Sequence, residues 1–129
     1  MTTEPNAPSW RSLAVGLGDL PKDEDAIIVD LGSRSHRVDV VHQEDAWELS
    51  GMVCTDQDLE HSNVSAMELW RLNAQRCLTS YVIETDGSVW VTALAPVPGL
   101  TAEEFGWLAR LVASEADRLE YRLTGQDSR

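Results

Sequence analysis

Two segments rich in β-branched and aromatic residues flank the dipeptide Asp86-Gly87, and this feature constrains the fold more than any other part of the chain. The segments are residues 78–85 and 88–95. Asp-Gly favours a two-residue type I′ turn, in which both residues adopt positive φ. The pattern therefore predicts an antiparallel hairpin that pairs Ile83 with Trp90.

Three further strand-like segments precede the hairpin. Residues 26–31 form a compact apolar run, and residues 37–42 and 47–53 alternate between apolar and polar side chains. Because no helical pattern separates these segments, we expect an antiparallel meander. Residues 55–62 are polar and acidic, which predicts a connection with or without a turn of helix.

Three segments carry helix signals. Ser9 can cap a short helix within residues 9–20. Residues 65–68 (Ser-Ala-Met-Glu) and 101–104 (Thr-Ala-Glu-Glu) have the form of capping boxes that start helices ending near Arg76 and Leu123. The middle helix has an apolar stripe of Ala66, Met67, Trp70, Ala74 and Cys77. The last helix has a stripe of Phe105, Leu108, Val112, Ala116, Leu119 and Leu123.

The order α-β-β-β-α-β-β-α groups the strands instead of alternating them with helices, which predicts a single α+β domain. We expect this domain to span residues 9–124, with an antiparallel sheet packed against helices and flexible segments at residues 1–8 and 125–129.

The formal net charge of −12 makes nucleic acid and anionic membrane surfaces poor partners. The chain shows no signal-peptide pattern and no apolar run long enough to cross a bilayer, so we expect a cytoplasmic protein. Cys54 and Cys77 lack the spacing of a zinc motif and fit ordinary reduced thiols.

Catalytic and metal-binding patterns are not recognisable in the sequence. The three histidines, His36, His42 and His61, have no nucleophile, base or metal ligand at a familiar spacing. The acidic segment from Asp56 fails as a calcium loop, because its sixth and twelfth positions hold His61 and Met67 instead of Gly and Glu. We therefore expect no enzymatic activity, no cofactor and no metal.

A tryptophan and a leucine lie on the side of the last helix opposite its core stripe. At 100° per residue, Trp107 and Leu111 project away from Phe105, near Arg118 and Tyr121. Tryptophan and tyrosine are common anchors of protein interfaces. The sequence predicts a partner-binding surface made of Trp107, Leu111, Tyr121 and Arg118, with Trp90 on the sheet as a further candidate. The alternative is a wider buried helix face.

Two short motifs extend this prediction to a family. Residues 69–73 (Leu-Trp-Arg-Leu-Asn) precede the hairpin, and residues 94–101 (Leu-Ala-Pro-Val-Pro-Gly-Leu-Thr) join it to the last helix. With the element order, these motifs resemble the type III secretion chaperone-like and YbjN-like superfamily, over about residues 66–123. Leu72-Asn73 and Gly99-Leu100 match the positions of the family motifs. The resemblance implies a non-catalytic, usually homodimeric fold, whose secretion-chaperone members hold a partly unfolded client.

The leading hypothesis is thus a non-enzymatic, chaperone-like or regulatory homodimer that holds a partner protein. One alternative is a small-ligand sensor or divergent enzyme with a site between the sheet and the middle helix, around Trp70 and Asn73. Another is an acidic immunity or antitoxin-type protein that masks a basic partner.

Overall fold

The computed structural model describes residues 9–62, 64–73, 78–97 and 99–124, and it has the predicted α+β architecture in a single domain. The helices and strands within these residues are α1 (Trp10–Leu13), β1 (Gly18–Asp19), β2 (Ala26–Asp30), β3 (Ser35–Gln43), β4 (Ala46–Cys54), α2 (Asp56–Glu60), α3 (Ala66–Asn73), β5 (Ser80–Ile83), β6 (Val89–Pro96) and α4 (Ala102–Thr124). The end segments predicted to be flexible, residues 1–8 and 125–129, lie outside the described residues.

The six described strands form one antiparallel sheet in the order β1-β2-β3-β4-β6-β5. The predicted meander is confirmed, because β2 pairs with β3 and β3 with β4, both antiparallel. The hairpin joins the meander through β6, which pairs with β4 on one side and β5 on the other. The two-residue strand β1 was not predicted and pairs with β2 at one edge. The other edge is β5.

The hairpin is confirmed, but its predicted register is wrong by one residue. Ile83 pairs with Val89 instead of Trp90, and Tyr81 pairs with Val91 instead of Thr92. A shift of one residue moves every side chain of a strand to the other face of the sheet relative to its partner strand.

The predicted type I′ turn is also wrong, and this explains the register. Glu84 N donates a hydrogen bond to Ser88 O (2.9 Å), so the loop contains the three residues 85–87. Gly87 has a φ of 86°, whereas Asp86 has a negative φ, because only glycines have positive φ among the described residues. A three-residue loop that ends in a left-handed glycine matches these observations, whereas a type I′ turn needs positive φ at both central residues.

Helix α4 packs across one face of the sheet and supplies much of the core. Its predicted core stripe is confirmed, since all six residues are buried. The ring of Phe105 meets the ring of Trp47 on β4 edge to face, with centroids 6.1 Å apart. Gly51 on β4 allows a close approach, because a Cβ at that position would lie 3.1 Å from the Cβ of Ala116.

Both predicted helix starts are confirmed. Thr101 Oγ1 accepts from Glu104 N (3.1 Å) while Glu104 Oε1 accepts from Thr101 N (3.0 Å), which completes the capping box of α4. At α3, Ser65 Oγ accepts from Glu68 N (3.2 Å). Ser9 caps α1 by accepting from Arg11 N.

Helix α3 buries a different side from the predicted one. The described members of its predicted stripe are exposed, namely Ala66, Met67 and Trp70. Ala74 and Cys77 lie outside the described residues. Leu69 is buried instead, and Asn73, one turn later on the same side, binds the backbone of Tyr81. These contacts set the rotation of the helix and turn Met67 and Trp70 outward.

Candidate functional site

One face of α4 points away from the sheet and carries four of the five predicted partner-binding residues. We define the α4 outer stripe as Trp107, Leu111, Ser114, Arg118 and Tyr121. Trp107 is 54% exposed and Tyr121 is 62% exposed, while Leu111 and Ser114 are partly buried. The members alternate at spacings of four and three residues, which is the heptad pattern of a helix-pairing seam. The exposure of Trp107 argues against the alternative of a wider buried face.

A groove of about 480 Å³ lies beside the C-terminal half of this stripe. Its lining consists of Leu31, Arg34, Ser114, Asp117, Arg118 and Tyr121. Arg34 closes one side by donating from Nε and Nη2 to Asp117 Oδ2 (3.1 and 2.5 Å). Arg118 Nη1 lies 3.9 Å from Glu115 Oε1. The stripe thus changes from apolar at Trp107 to charged and polar near Tyr121.

Trp90, the fifth predicted partner-binding residue, is separated from this stripe. Its neighbours Val89 and Val91 are buried on the face that α4 covers, so Trp90 points to the opposite face of the sheet. Its Nε1 donates to Ser88 Oγ (2.8 Å), and its ring lines a pocket with Arg37 and Met52. The structure therefore does not bring Trp90 together with the other four residues.

Helix α3 adds an apolar surface whose residues the sequence pattern assigned to the core. Met67 is 57% exposed and Trp70 is 70% exposed. A groove of about 600 Å³ begins beside Ala66 and continues to Ile83 on β5 and to Leu59 on α2. The sequence does contain a sign that this surface is exposed. Leu69, Leu72 and Asn73 also recur at helical spacing, and burial of this second stripe turns Met67 and Trp70 toward solvent.

A buried polar cluster lies between β3 and α4. One ring nitrogen of His36, one carboxylate oxygen of Asp117 and one of Glu120 lie within 4.8 Å of one another. Their residues are 1%, 4% and 0% exposed. The spacing of residues along the sequence did not predict this cluster, because most of the chain lies between His36 and helix α4. The available signal was the alternation of His36 with Val38 and Val40, which places the imidazole on the core face.

Among the residues that the structure describes, neither His42 nor His61 belongs to such a cluster. His42 is exposed near the end of β3, and His61 Nδ1 pairs with the carbonyl oxygen of Gln57 (2.7 Å). The acidic segment around Asp56 forms helix α2, and Asp58 and Thr55 complete a capping box at its start. The Asp58 carboxylate therefore serves as a helix cap instead of lining a calcium loop.

Comparison with protein-family models found no match, and a search of curated proteins found no match either. The resemblance to the secretion-chaperone and YbjN-like superfamily therefore stays a prediction. None of the helices in the described part of the chain has the length and apolar character that crossing a membrane requires.

Proposed function

We propose that this protein is a non-enzymatic, homodimeric protein-binding domain in which the α4 outer stripe joins two copies. The proposal rests on the heptad spacing of Trp107, Leu111, Ser114, Arg118 and Tyr121 along one helix, with Trp107, Arg118 and Tyr121 exposed. A helix that only covers a sheet has no need for an aromatic seam on its outer side, whereas a paired helix does.

The stripe fits a second copy of itself in an antiparallel arrangement. Trp107 and Tyr121 both lie seven residues from Ser114, so a two-fold axis at Ser114 places Trp107 against the second copy's Tyr121. The small Ser114 side chain at the axis permits close approach of the two helices, whose axes would be about 8–10 Å apart.

The charges of α4 also complement a second, antiparallel copy. Glu103 and Glu104 lie in its first turn, and Arg122 lies in its last turn. Antiparallel pairing brings the acidic start of each helix beside the basic end of the other, while parallel pairing brings like charges together. Opposite charges that face each other at the edge of an interface favour one orientation and one register of the two helices.

Disulfide cross-linking tests the arrangement directly. In Ser114→Cys, the two new thiols meet at the axis, so a mild oxidant is expected to convert most of the chain to a covalent dimer. Ser35→Cys, exposed on β3, is the matched control, and the unsubstituted chain gives the background from Cys54 and Cys77. Equal cross-linking of the two variants would contradict the antiparallel pairing.

We assign the partner protein to the apolar surface of α3. Met67 and Trp70 are exposed one turn apart, next to the groove that reaches Ile83. Asp56 and Glu60 line the same groove, and the chain has a net charge of −12. These properties suit a segment with apolar anchors and basic flanks, because opposite charge steers association and buried aromatic anchors supply affinity.

A synthetic helical peptide of leucine and lysine is a suitable probe for this surface. The double variant Met67→Glu with Trp70→Glu is expected to weaken peptide binding at least tenfold, measured by fluorescence anisotropy of a labelled peptide. Trp107→Glu is the control and should bind the peptide as the wild type does. Peptide binding that is absent, or unchanged in the α3 variant, would contradict this assignment.

The alternative of a site around Trp70 and Asn73 has less support. The Asn73 side chain points toward β5 and is engaged by the backbone of Tyr81, whereas Trp70 is largely exposed on another side of α3. These two side chains therefore do not converge on a common substrate.

A further inference from the structure

The buried cluster of His36, Asp117 and Glu120 has the composition of a metal site. We propose that these three residues bind one divalent cation, with Zn²⁺ as the representative ion. Imidazole nitrogen together with carboxylate oxygen is a ligand set that zinc accepts, and three protein ligands leave a fourth position for water. Asp117 places this site beside the groove that the α4 outer stripe lines, and the proposal goes beyond the proposed function.

A backbone hydrogen bond of His36 indicates which ring nitrogen can serve as a metal ligand. Nε2 lies 2.8 Å from the carbonyl oxygen of Met52, and because a carbonyl can only accept, Nε2 carries the proton. A metal-binding imidazole with its proton on Nε2 offers the lone pair of Nδ1. Orientation of a metal-binding histidine by a carbonyl that accepts from its other nitrogen is a common arrangement around metals.

Two atoms of the cluster have no hydrogen-bond partner among the described residues, namely His36 Nδ1 and Asp117 Oδ1. His36 and Asp117 are more than nine-tenths buried, and both residues belong to the cluster. A buried polar atom without a partner is costly. A cation between them satisfies the imidazole lone pair and the carboxylate oxygen together, with an oxygen of Glu120 as the third ligand.

The neighbouring Arg34 does not occupy every oxygen that Asp117 could offer to a metal. Arg34 binds Asp117 through Oδ2, and Oδ1 has no hydrogen-bond partner among the described residues. Asp117 also lines the groove beside the α4 outer stripe.

The spacing of the ligand atoms is close to that of a bound metal. Zinc lies about 2.0–2.2 Å from nitrogen and oxygen ligands, which places pairs of ligand atoms about 3–4 Å apart. The cluster atoms lie within 4.8 Å of one another, so side-chain shifts of about 1 Å bring them into range.

The test is a calorimetric titration of chelator-treated protein with Zn²⁺. We expect the wild type to bind one ion per chain and to melt at a higher temperature with zinc than without. His36→Gln and Glu120→Gln should each weaken binding at least tenfold. His42→Gln is the matched control on the same strand and should bind as the wild type does.

Two results would overturn the proposal: no saturable binding of Zn²⁺ by the wild type, or unchanged affinity in both cluster variants. If the variants fail to fold, ¹⁵N resonances of the wild-type imidazoles decide the matter. A zinc-dependent shift of His36 Nδ1, with His42 and His61 unaffected, supports the site. A zinc response confined to His42 or His61, or a His36 ring that takes up a second proton while ignoring zinc, rejects it.

Discussion

The side-chain amide of Asn73 forms two hydrogen bonds with the backbone of Tyr81 on the edge strand β5. Asn73 Nδ2 donates to Tyr81 O (2.8 Å), and Tyr81 N donates to Asn73 Oδ1 (2.6 Å). An amide side chain thereby occupies the position that another strand would take. This contact blocks the edge at Tyr81 against pairing with a foreign strand, which is a recognised hazard of exposed edges.

Removal of this pairing should destabilise the protein and expose the edge. Asn73→Leu keeps a similar volume but leaves two backbone groups of a mostly buried residue without their partner, so we expect a loss of about 2 kcal/mol. Urea unfolding followed by circular dichroism measures it. Arg71→Leu, exposed on the same helix, should stay within about 0.5 kcal/mol of the wild type. Equal stability of the two variants would show that the amide contact contributes nothing.

The close approach of β4 and α4 predicts a second stability effect. In Gly51→Ala the new Cβ would lie 3.1 Å from the Cβ of Ala116 and 3.4 Å from Val112 Cγ1, so the helix must move outward. We expect a cost of about 1–3 kcal/mol, typical of overpacking. In combination with Ala116→Gly, the cost of Gly51→Ala should shrink, because the group that it meets is gone. Additive losses in this double-mutant cycle would contradict the contact.

The hairpin loop gives a third prediction, in which backbone strain and steric contact can be separated. Gly87 has positive φ, and a Cβ there would lie 2.6 Å from the Cβ of Asp56. Gly87→Val should therefore cost about 1–3 kcal/mol from strain, plus the cost of displacing α2. Gly16 has a φ of 74°, and a Cβ there would have no atom within 4 Å, so Gly16→Val reports strain alone. Thermal denaturation should rank Gly87→Val as the less stable variant, and the reverse order would show that α2 does not pack against the loop.

The same loop predicts a pH effect. Hydrogen bonds from the Ser88 hydroxyl (2.6 Å) and the Ser88 backbone amide (2.9 Å) hold the pKa of Asp86 below its ordinary value. This stabilisation is present above the ordinary aspartate pKa and is lost as the pH falls through the lowered pKa of the folded state. Ser88→Ala should raise the pKa of Asp86, measured by NMR titration of its side-chain carboxyl carbon. An unchanged pKa would mean that the hydroxyl does not donate to Asp86.

The fold was predictable from sequence where a segment had one dominant pattern. The meander and the core stripe of α4 follow from alternation and helical spacing, because a single arrangement of each segment buries its apolar residues. In α3 two stripes compete, and the rotation is decided by the tertiary contact between Asn73 and Tyr81, which spacing along the chain does not encode. The hairpin register depended on the φ of Asp86, which the Asp-Gly dipeptide alone does not determine.

The two candidate sites also differ in how far the sequence predicts them. The α4 outer stripe is a local pattern on one helix, so its exposure could be predicted from residue spacing. The cluster of His36, Asp117 and Glu120 joins a strand to a helix distant in sequence, and only the packing of α4 on the sheet brings these side chains together. None of the three residues has neighbours in the sequence that indicate a metal site.

Light scattering after size-exclusion chromatography shows whether the α4 outer stripe joins two copies of the chain. The wild type is predicted to have the mass of a dimer, and the double variant Trp107→Glu with Leu111→Glu the mass of a monomer with an unchanged circular dichroism spectrum. The matched control, Val41→Glu with Leu94→Glu, changes two exposed apolar residues of the sheet and should remain dimeric. A monomeric wild type, or a folded Trp107 and Leu111 variant that is still a dimer, would contradict dimerisation through the α4 outer stripe.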